Sequence, residues 1–374
     1  MIKLRLPAWA RLPRQPLLRH LLFGGVGVLF FYLLSNSLSD FNNFELGEVA
    51  VYAIAIAGLS VLTGVNGQIC LGQGAFVAVG AYTLGELEIH QSLNLVVQLL
   101  IAVIISGVVG LIIAVPATRL RGPYLAGMTL LLALALPFLS DKYSNFFGGD
   151  QGLVTLPPNA PGSIDPAKWL TWIELFCALL VMVLLANLLA SRFGRSFRAV
   201  RDNEVAASLA GVHVARTKVI AFVVSSACAG LAGALLALST GVVNTGEFPL
   251  SLSIYILAGM VLGGSGTLTG AWWGAILVVY LPNQWSQSLA NDFSLNHLVG
   301  ANLAVIIFGA VLIIVMLVAP AGVQGGLRWL ARRLVSASTA TKLAGNISVP
   351  LQQQAEPNQN RGDSESERAA TRID

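Results

Sequence analysis

SRFGRSFRAVRDNEVAASLAGVHVARTK, residues 191–218, is the one long polar interruption in the middle of an otherwise apolar chain. It carries six basic residues, Arg192, Arg195, Arg198, Arg201, Arg216 and Lys218, against two acids, Asp202 and Glu204. Apolar residues recur within it at helical spacing: Phe197, Val200, Val205, Leu209 and Val212. That pattern predicts a short amphipathic helix between two membrane spans, lying at the cytoplasmic surface. A solvated connecting loop that obeys the positive-inside rule has the same composition. The order of residues separates the two. Ala206 and Ala207 give a helix a flat face that a second protein can approach closely, and Gly211 lets the chain turn sharply afterwards.

Outward from this stretch the chain is oily. Charged residues make up 11% of the 374 positions and apolar residues 55%, with a mean hydropathy of +0.74. Soluble domains are about one quarter charged, so the fold class is an all-α polytopic membrane protein. Cys70, Cys177 and Cys228 stand singly inside apolar stretches. They read as small buried apolar residues, with no metal site, disulfide or cofactor implied. The net charge of +4 is carried where a membrane protein needs it, which argues against nucleic acid as a partner.

Taken in order, residues 1–20 hold five Lys/Arg and no acid and form a basic cytoplasmic N-terminal segment. The apolar run 21–39 is expected to be a retained first span, because no small-x-small cleavage site follows it. Asp40 to Glu48, with three acids and no base, reads as an outside loop. Residues 49–85 contain no charge and are long enough for two spans of about 20 residues. Further spans are expected within 89–118, 122–140, 175–191 and 219–246, two more within 248–291 and a last one within 293–327.

Residues 141–168 form the longest outer loop, and 328–374 a polar, disordered cytoplasmic tail. The transmembrane domain is thus 21–327, with about ten helices and both termini cytoplasmic. On that topology 20 of the 22 Lys/Arg are cytoplasmic, and only Lys142 and Lys168 lie outside. Apart from Glu174, near the outer end of its span, the expected spans hold no charge, which argues against an ion relay.

Two uncharged stretches are unusual. LTGVNGQICLGQGAFVAVGAYT, 62–83, interrupts an apolar region with Thr63, Asn66, Gly67, Gln68, Gly72, Gln73 and Gly74. GMVLGGSGTLTGAWWG, 259–274, repeats the theme with Gly263, Gly264, Gly266 and Gly270. Irregular backbone and amides at membrane depth must be buried in protein or face a water-filled cavity. The first reading makes them close helix contacts through small residues. The second makes them the lining of a translocation path, favoured for Gln68 and Gln73. Interrupted spans in both halves fit a weak internal repeat. No phosphate-binding Gly-x-x-x-x-Gly-Lys-Ser/Thr loop and no paired catalytic carboxylates are present, so the chain reads as a transport subunit powered by a partner rather than as an enzyme.

The Ala206-Ala207-x-x-x-Gly211 element resembles the cytoplasmic coupling loop of bacterial ATP-binding-cassette importer permeases, which docks on the ATPase subunit. The acid usual before the alanines is displaced by one place, to Glu204. GLSVLTGVNGQICLGQGAF at 58–76, RLRGPYLAGMTL at 119–130, GGDQGL at 148–153, the segment 194–235, GMVLGGSGTLTGAWWGA at 259–275 and MLVAPAGVQG at 316–325 resemble the branched-chain amino acid permeases of that class, specifically the longer, LivM-type permease. The family usually has His where Gln73 stands. The resemblance implies import of branched-chain or neutral amino acids across the bacterial inner membrane. It implies as partners a second homologous permease, two cytoplasmic ATP-binding subunits and an extracytoplasmic solute-binding protein. Arg195, Arg198, Arg201, Asp202, Glu204, Ala206, Ala207 and Gly211 would form the ATPase-coupling loop. Related permeases carry urea or short amides, which is the alternative cargo; an ion-coupled secondary carrier is the alternative from another class.

Overall fold

With no water at membrane depth, an apolar chain satisfies its own backbone as helix. The structure, a computed structural model, describes residues 40–280 apart from 92, 120–121, 159 and 163–164, together with Gly25, Gly27, Ser35, Gly309, Ala310, Ile313, Ile314, Leu317 and 322–328. All of these except Leu327 and Arg328 fall in one unit, Met1–Gly326. The expected basic segment 1–20, most of the first and last spans, and the tail after Arg328 lie outside the described residues.

Helix α1 (Asp40–Leu59) runs into a π-helical turn (Ser60–Val65), an irregular stretch at 66–72, and α2 (Gln73–His90). Then come α3 (Leu95–Ala117), α4 (Pro123–Lys142), the short α5 (Ser144–Phe147) and α6 (Pro166–Ala190). Two short helices follow, α7 (Arg192–Asp202) and α8 (Glu204–Leu209), then α9 (Val214–Thr240), α10 (Leu250–Gly263) and α11 (Leu268–Tyr280). Helix starts obey local chemistry. Pro166 and Pro123 occupy the first turn of α6 and α4, and the Asp165 carboxylate caps α6 by accepting from Ala167 N at 2.9 Å.

Among the described residues, six helices are long and apolar enough to cross a membrane: α1 with its π-turn, α3, α4, α6, α9 and the segment Thr245–Gly263. Helix α2, which carries Glu86 and Glu88, and the shorter α11 pack among them. The protein is therefore a multi-pass, helical membrane protein. Helices α1 and α9 are central and mostly buried, whereas only about a third of each of the apolar stretches of α3, α4 and α6 is buried. The outward face of α3 shows why the periphery tolerates exposure. Val96, Leu100, Ile104, Val108, Ile112 and Val115 repeat every three or four residues and are exposed, a stripe suited to lipid.

The inward face of α3 is small: Ala102, Ser106, Gly110 and Ala114 lie four apart and are buried. They meet α9 at Ser226 and Gly230, where a Cβ on Gly230 would run into the Ser106 side chain. The opposite side of Gly230 touches Gly80 of α2 backbone to backbone. Ser106 Oγ donates to Phe76 O at 2.9 Å, tying α3 to α2 at the same crossing. Without a hydrophobic drive between helices in lipid, such close approach of small residues supplies the packing energy.

Four expectations need correction. Asp40 to Glu48 is not a loop but the first turns of α1, so Glu45 and Glu48 join Glu174 inside spanning helices. The premise of charge-free spans therefore falls at one end of the bundle. The outer loop 141–168 is structured: α4 continues to Lys142, α5 follows, and Leu153–Val154 pairs antiparallel as β1 with Val242–Val243, β2, after α9. The expected single amphipathic helix at 191–218 is two helices, because Asn203 is extended at φ −160° and its side chain caps α8.

Gly230→Ala is expected to lower the thermal stability of the detergent-solubilised protein by about 1–3 kcal/mol, the cost of overpacking a tight crossing. Gly127→Ala, whose added Cβ meets nothing within 4 Å, should leave the melting curve unchanged. Fluorescence-detected size-exclusion melting distinguishes the two.

Candidate coupling element and glycine-rich turns

Helix α7 leaves α6 by a sharp reversal. Ser191 caps it, accepting from Phe193 N at 3.2 Å, and Gly194 lies against the Leu189 backbone in the last turn of α6, where any Cβ would collide. Gly194, Phe197 and Val200 form its buried stripe. Two of its arginines then reach helix ends. Arg198 Nη2 donates to Leu189 O at 3.0 Å, and Arg201 Nη1 donates to Gly64 O at 2.5 Å, the carbonyl near the end of the π-turn. A cation at a helix C-terminus meets unsatisfied carbonyls and the negative end of the dipole, so both contacts are favourable on two counts.

Helix α8 presents a different surface. Asn203 Oδ1 accepts from Val205 N (2.9 Å) and Ala206 N (3.0 Å). Ala207 is buried, whereas Val205, Ala206, Leu209 and Ala210 are exposed, Leu209 by 85%. Gly211 follows with φ +83° and turns the chain toward α9. Val205 and Leu209, expected on the same apolar face as Phe197, therefore point to solvent instead. Arg195 and Asp202 are exposed as well. Glu204 is engaged within the chain: its Oε1 lies 2.6 Å from Lys218 Nζ, and the Lys218 side chain is only 9% exposed.

The first glycine-rich stretch is mostly buried among other helices, with Gly67 and Ile69 exposed. Thr63 Oγ1 donates to Gln68 O (2.9 Å), Leu71 N to Thr129 Oγ1 of α4 (3.0 Å), and Gly74 N to Ser253 Oγ of α10 (2.9 Å). The Gln68 amide donates to Lys218 O of α9 at 3.0 Å. Gln73 is 1% exposed and bridges two central helices: its Nε2 donates to Ser225 O (3.3 Å) and Ala55 O (3.5 Å), and its Oε1 accepts from Ser225 Oγ (3.3 Å). An amide supplies donor and acceptor at once, which suits this bridge. Gly72 lies on the Thr129 backbone of α4 and Gly74 on Ser253. Asn66 differs. It is 2% exposed, and neither atom of its amide has a hydrogen-bond partner.

The second stretch is a helix hairpin. Gly259 and Gly263 of α10 face Gly270 and Gly274 of α11 so closely that a Cβ on Gly263 would meet the Gly270 carbonyl. These are two small-x-x-x-small faces packed on each other. Between them, Gly264 (φ +114°) and Gly266 (φ +78°) make the turn. A Cβ on Gly64 would stand 2.6 Å from Gly266 Cα, so the two glycine-rich turns touch at the end of the bundle where Arg201 lies. Gly322 abuts Gly264 at the same place. At the opposite end, Ser239 Oγ donates to Glu174 Oε1, and Gly47 packs on that carboxylate.

A family model described as "Branched-chain amino acid transport system / permease component" matches residues 45–316. The chain belongs to this permease family. The permease is 30% identical over 297 residues to the high-affinity branched-chain amino acid transport system permease protein LivM of Salmonella typhimurium, covering 73% of this chain and 67% of that one. It is 28% identical to a LivH permease protein of the same organism, over 79% of this chain and 96% of that one. A probable LivM of Methanocaldococcus jannaschii is 28% identical, over 67% and 76% respectively. A shorter match, 34% identical over 41% of this chain and 46% of the other, links it to the autoinducer 2 import system permease protein LsrC of Klebsiella pneumoniae. No solved structure matches the permease.

Sequence reasoning placed Arg198, Arg201 and Glu204 in one polar element but missed their partners. One signal was present: Arg201 follows Gly194 by seven residues and Phe197 by four, which puts it on the same helix face as the buried stripe although the residue itself stays exposed. In the permease, Glu204→Ala leaves the Lys218 cation buried without its carboxylate. Because Glu204 is partly solvated, the expected loss is about 1–2 kcal/mol, below that of a fully buried pair. Glu204→Ala with Lys218→Met should recover most of it in thermal melts.

Proposed function

We propose that this permease is the membrane-spanning half of an ATP-binding-cassette importer for branched-chain and other neutral amino acids in a bacterial inner membrane. It crosses about ten times, with both termini and the α7–α8 element in the cytoplasm. The observation that carries this reading is α8 itself. A short capped helix exposes Val205, Ala206, Leu209 and Ala210 at the arginine-rich end of the bundle, next to α7, whose Arg201 bonds to the first glycine-rich turn. An exposed apolar face on a rigidly held helix fits a hydrophobic groove on a partner.

The partner class follows from the energy source. Relatives are named as branched-chain amino acid transport permeases, and this family implies a second permease, two ATP-binding subunits and an extracytoplasmic solute-binding protein. On this reading the ATP-binding subunits take α8, and the glycine-rich turns line the path that opens and closes. Asn66, buried with an unsatisfied amide, is the strongest path candidate among the residues of the first turn. Gln68 and Gln73 hold the helices around it.

Glu45, Glu48 and Glu174 within spanning helices give an ion-coupled carrier a physical basis that the sequence lacked. The experiment therefore separates energy sources. Labelled leucine uptake is measured in cells with and without the gene, before and after ATP depletion with the proton gradient preserved, with excess alanine, glutamate or urea as competitors. Uptake is expected to require both gene and ATP and to be competed by alanine but not urea. Leu209→Glu should abolish uptake while leaving the permease inserted and folded. Gene-dependent uptake that survives ATP depletion would establish the carrier; urea transport in place of leucine would keep the machine and change the cargo.

A further inference from the structure

The contact made by Arg201 is not needed for α8 to dock on anything. It lies in the last turn of α7, on the side turned toward the membrane helices, and joins three groups. Its Nη1 donates to Gly64 O at 2.5 Å. Its Cγ stands 3.1 Å from where a Cβ on Gly67 would be, and its Nη1 3.8 Å from the same point on Gly266. Gly64 and Gly266 are themselves in backbone contact. One side chain is therefore bonded to the first glycine-rich turn and lies beside the second where the two touch each other. It is attached by the shortest route to α8, with only Asp202 and the extended Asn203 between.

The turn it holds is poised rather than relaxed. Ser60–Val65 is π-helical, with Asn66 N bonded to Val61 O at 3.0 Å and Gln68 N to Leu62 O at 3.2 Å. π-turns carry one residue more than an α-helix accommodates and cluster at functional positions. Gly67 has φ +80°. Ser60 Oγ and both Asn66 amide atoms are buried without partners. A buried polar group left unbonded is costly, so an alternative arrangement that bonds it is closer in free energy than for a regular helix. Such a segment has the features that suit it to be the yielding element conformational coupling requires.

We propose that Arg201 is the transmission residue of the permease. A displacement of α7–α8 moves both glycine-rich turns together through its guanidinium, and the Ser60–Asn66 turn is the segment that yields. This rests on the importer reading. The planar guanidinium grips the carbonyl between two glycines, and a lysine would supply the charge without the fork. Arg198 acts elsewhere, holding α7 to the end of α6 through the Leu189 carbonyl.

The test uses the complete importer reconstituted in liposomes, with wild type, Arg201→Gln and Arg201→Lys compared in three readouts: co-purification of the ATPase subunits, ATP hydrolysis, and leucine uptake. Arg201→Gln is expected to co-purify normally and to hydrolyse ATP within about twofold of wild type, while uptake falls at least tenfold. Arg201→Lys should recover part of the uptake. Uptake by Arg201→Gln within twofold of wild type would overturn the proposal. So would a parallel loss of assembly, hydrolysis and uptake in both variants, which would make Arg201 a structural cap only. Leucine uptake by the wild type without ATP would remove the importer reading and this role with it; failure of Arg201's role alone leaves wild-type ATP-driven uptake intact.

Discussion

A membrane helix that stops inside the protein leaves carbonyl groups that water does not reach, and this structure is arranged around answering that need at one place. Helix α1 ends at its π-turn beneath the arginine-rich element, and hydrogen-bond partners converge there from several helices. Arg201 of α7 donates to Gly64 O, Lys218 O of α9 accepts from the Gln68 amide, and the hydroxyls of Thr129 of α4 and Ser253 of α10 accept from Leu71 N and Gly74 N of the irregular stretch that follows. Each partner is placed by a helix whose own packing is fixed elsewhere. The glycine-rich turn is therefore defined by its surroundings and not by its own sequence, and it is stable only while those helices keep their relative positions. A transport protein gains from that dependence, because any rearrangement of the helices must also rearrange the turn.

Small residues make the dependence mutual. At Gly230 three helices meet within backbone contact, and along Gly259, Gly263, Gly270 and Gly274 two helices lie with almost nothing between them. Close contact of this kind is sensitive to translation along the helix axis, since one residue of slip replaces a glycine by a side chain. It tolerates rotation about the contact much better. The bundle is thus stiff to sliding and more compliant to rocking.

The division between what the sequence disclosed and what it hid follows from the range of the interactions. Hydropathy and charge are written residue by residue, so the apolar spans from α1 to α11, the polar element at 191–218 and the two glycine-rich turns were legible. The family resemblance rested on the same stretches. The acids at the start of α1 misled, because a carboxylate reads as loop when taken alone and sits in a helix when protein surrounds it. The ribbon between β1 and β2 joins two-residue segments about ninety positions apart, too short to carry a pattern. Arg201 with Gly64 and Gln73 with Ser225 join residues 137 and 152 positions apart. A donor whose acceptor is a backbone carbonyl leaves no mark on the acceptor's side chain. Glu204 was seen as an acid near the alanines, but its engagement with Lys218 needed the turn at Gly211 to bring the two together.

Helix α9 begins beside Glu204 and ends where Thr155 of the segment after α5 is bound to it, its hydroxyl donating to Ala237 O and its amide to Gly241 O. Its 27 residues make a rod of about 40 Å. Both ends are fastened, one to the arginine-rich element and one to the β1–β2 ribbon, and the middle is wedged between α2 and α3. A rod held at its waist behaves as a lever. A tilt of about 5° at that waist shifts the two ends in opposite directions by roughly 2 Å each, taking the length from the helical rise. A single unbroken helix thus links the two ends of the bundle, with no relay of side chains needed along its length.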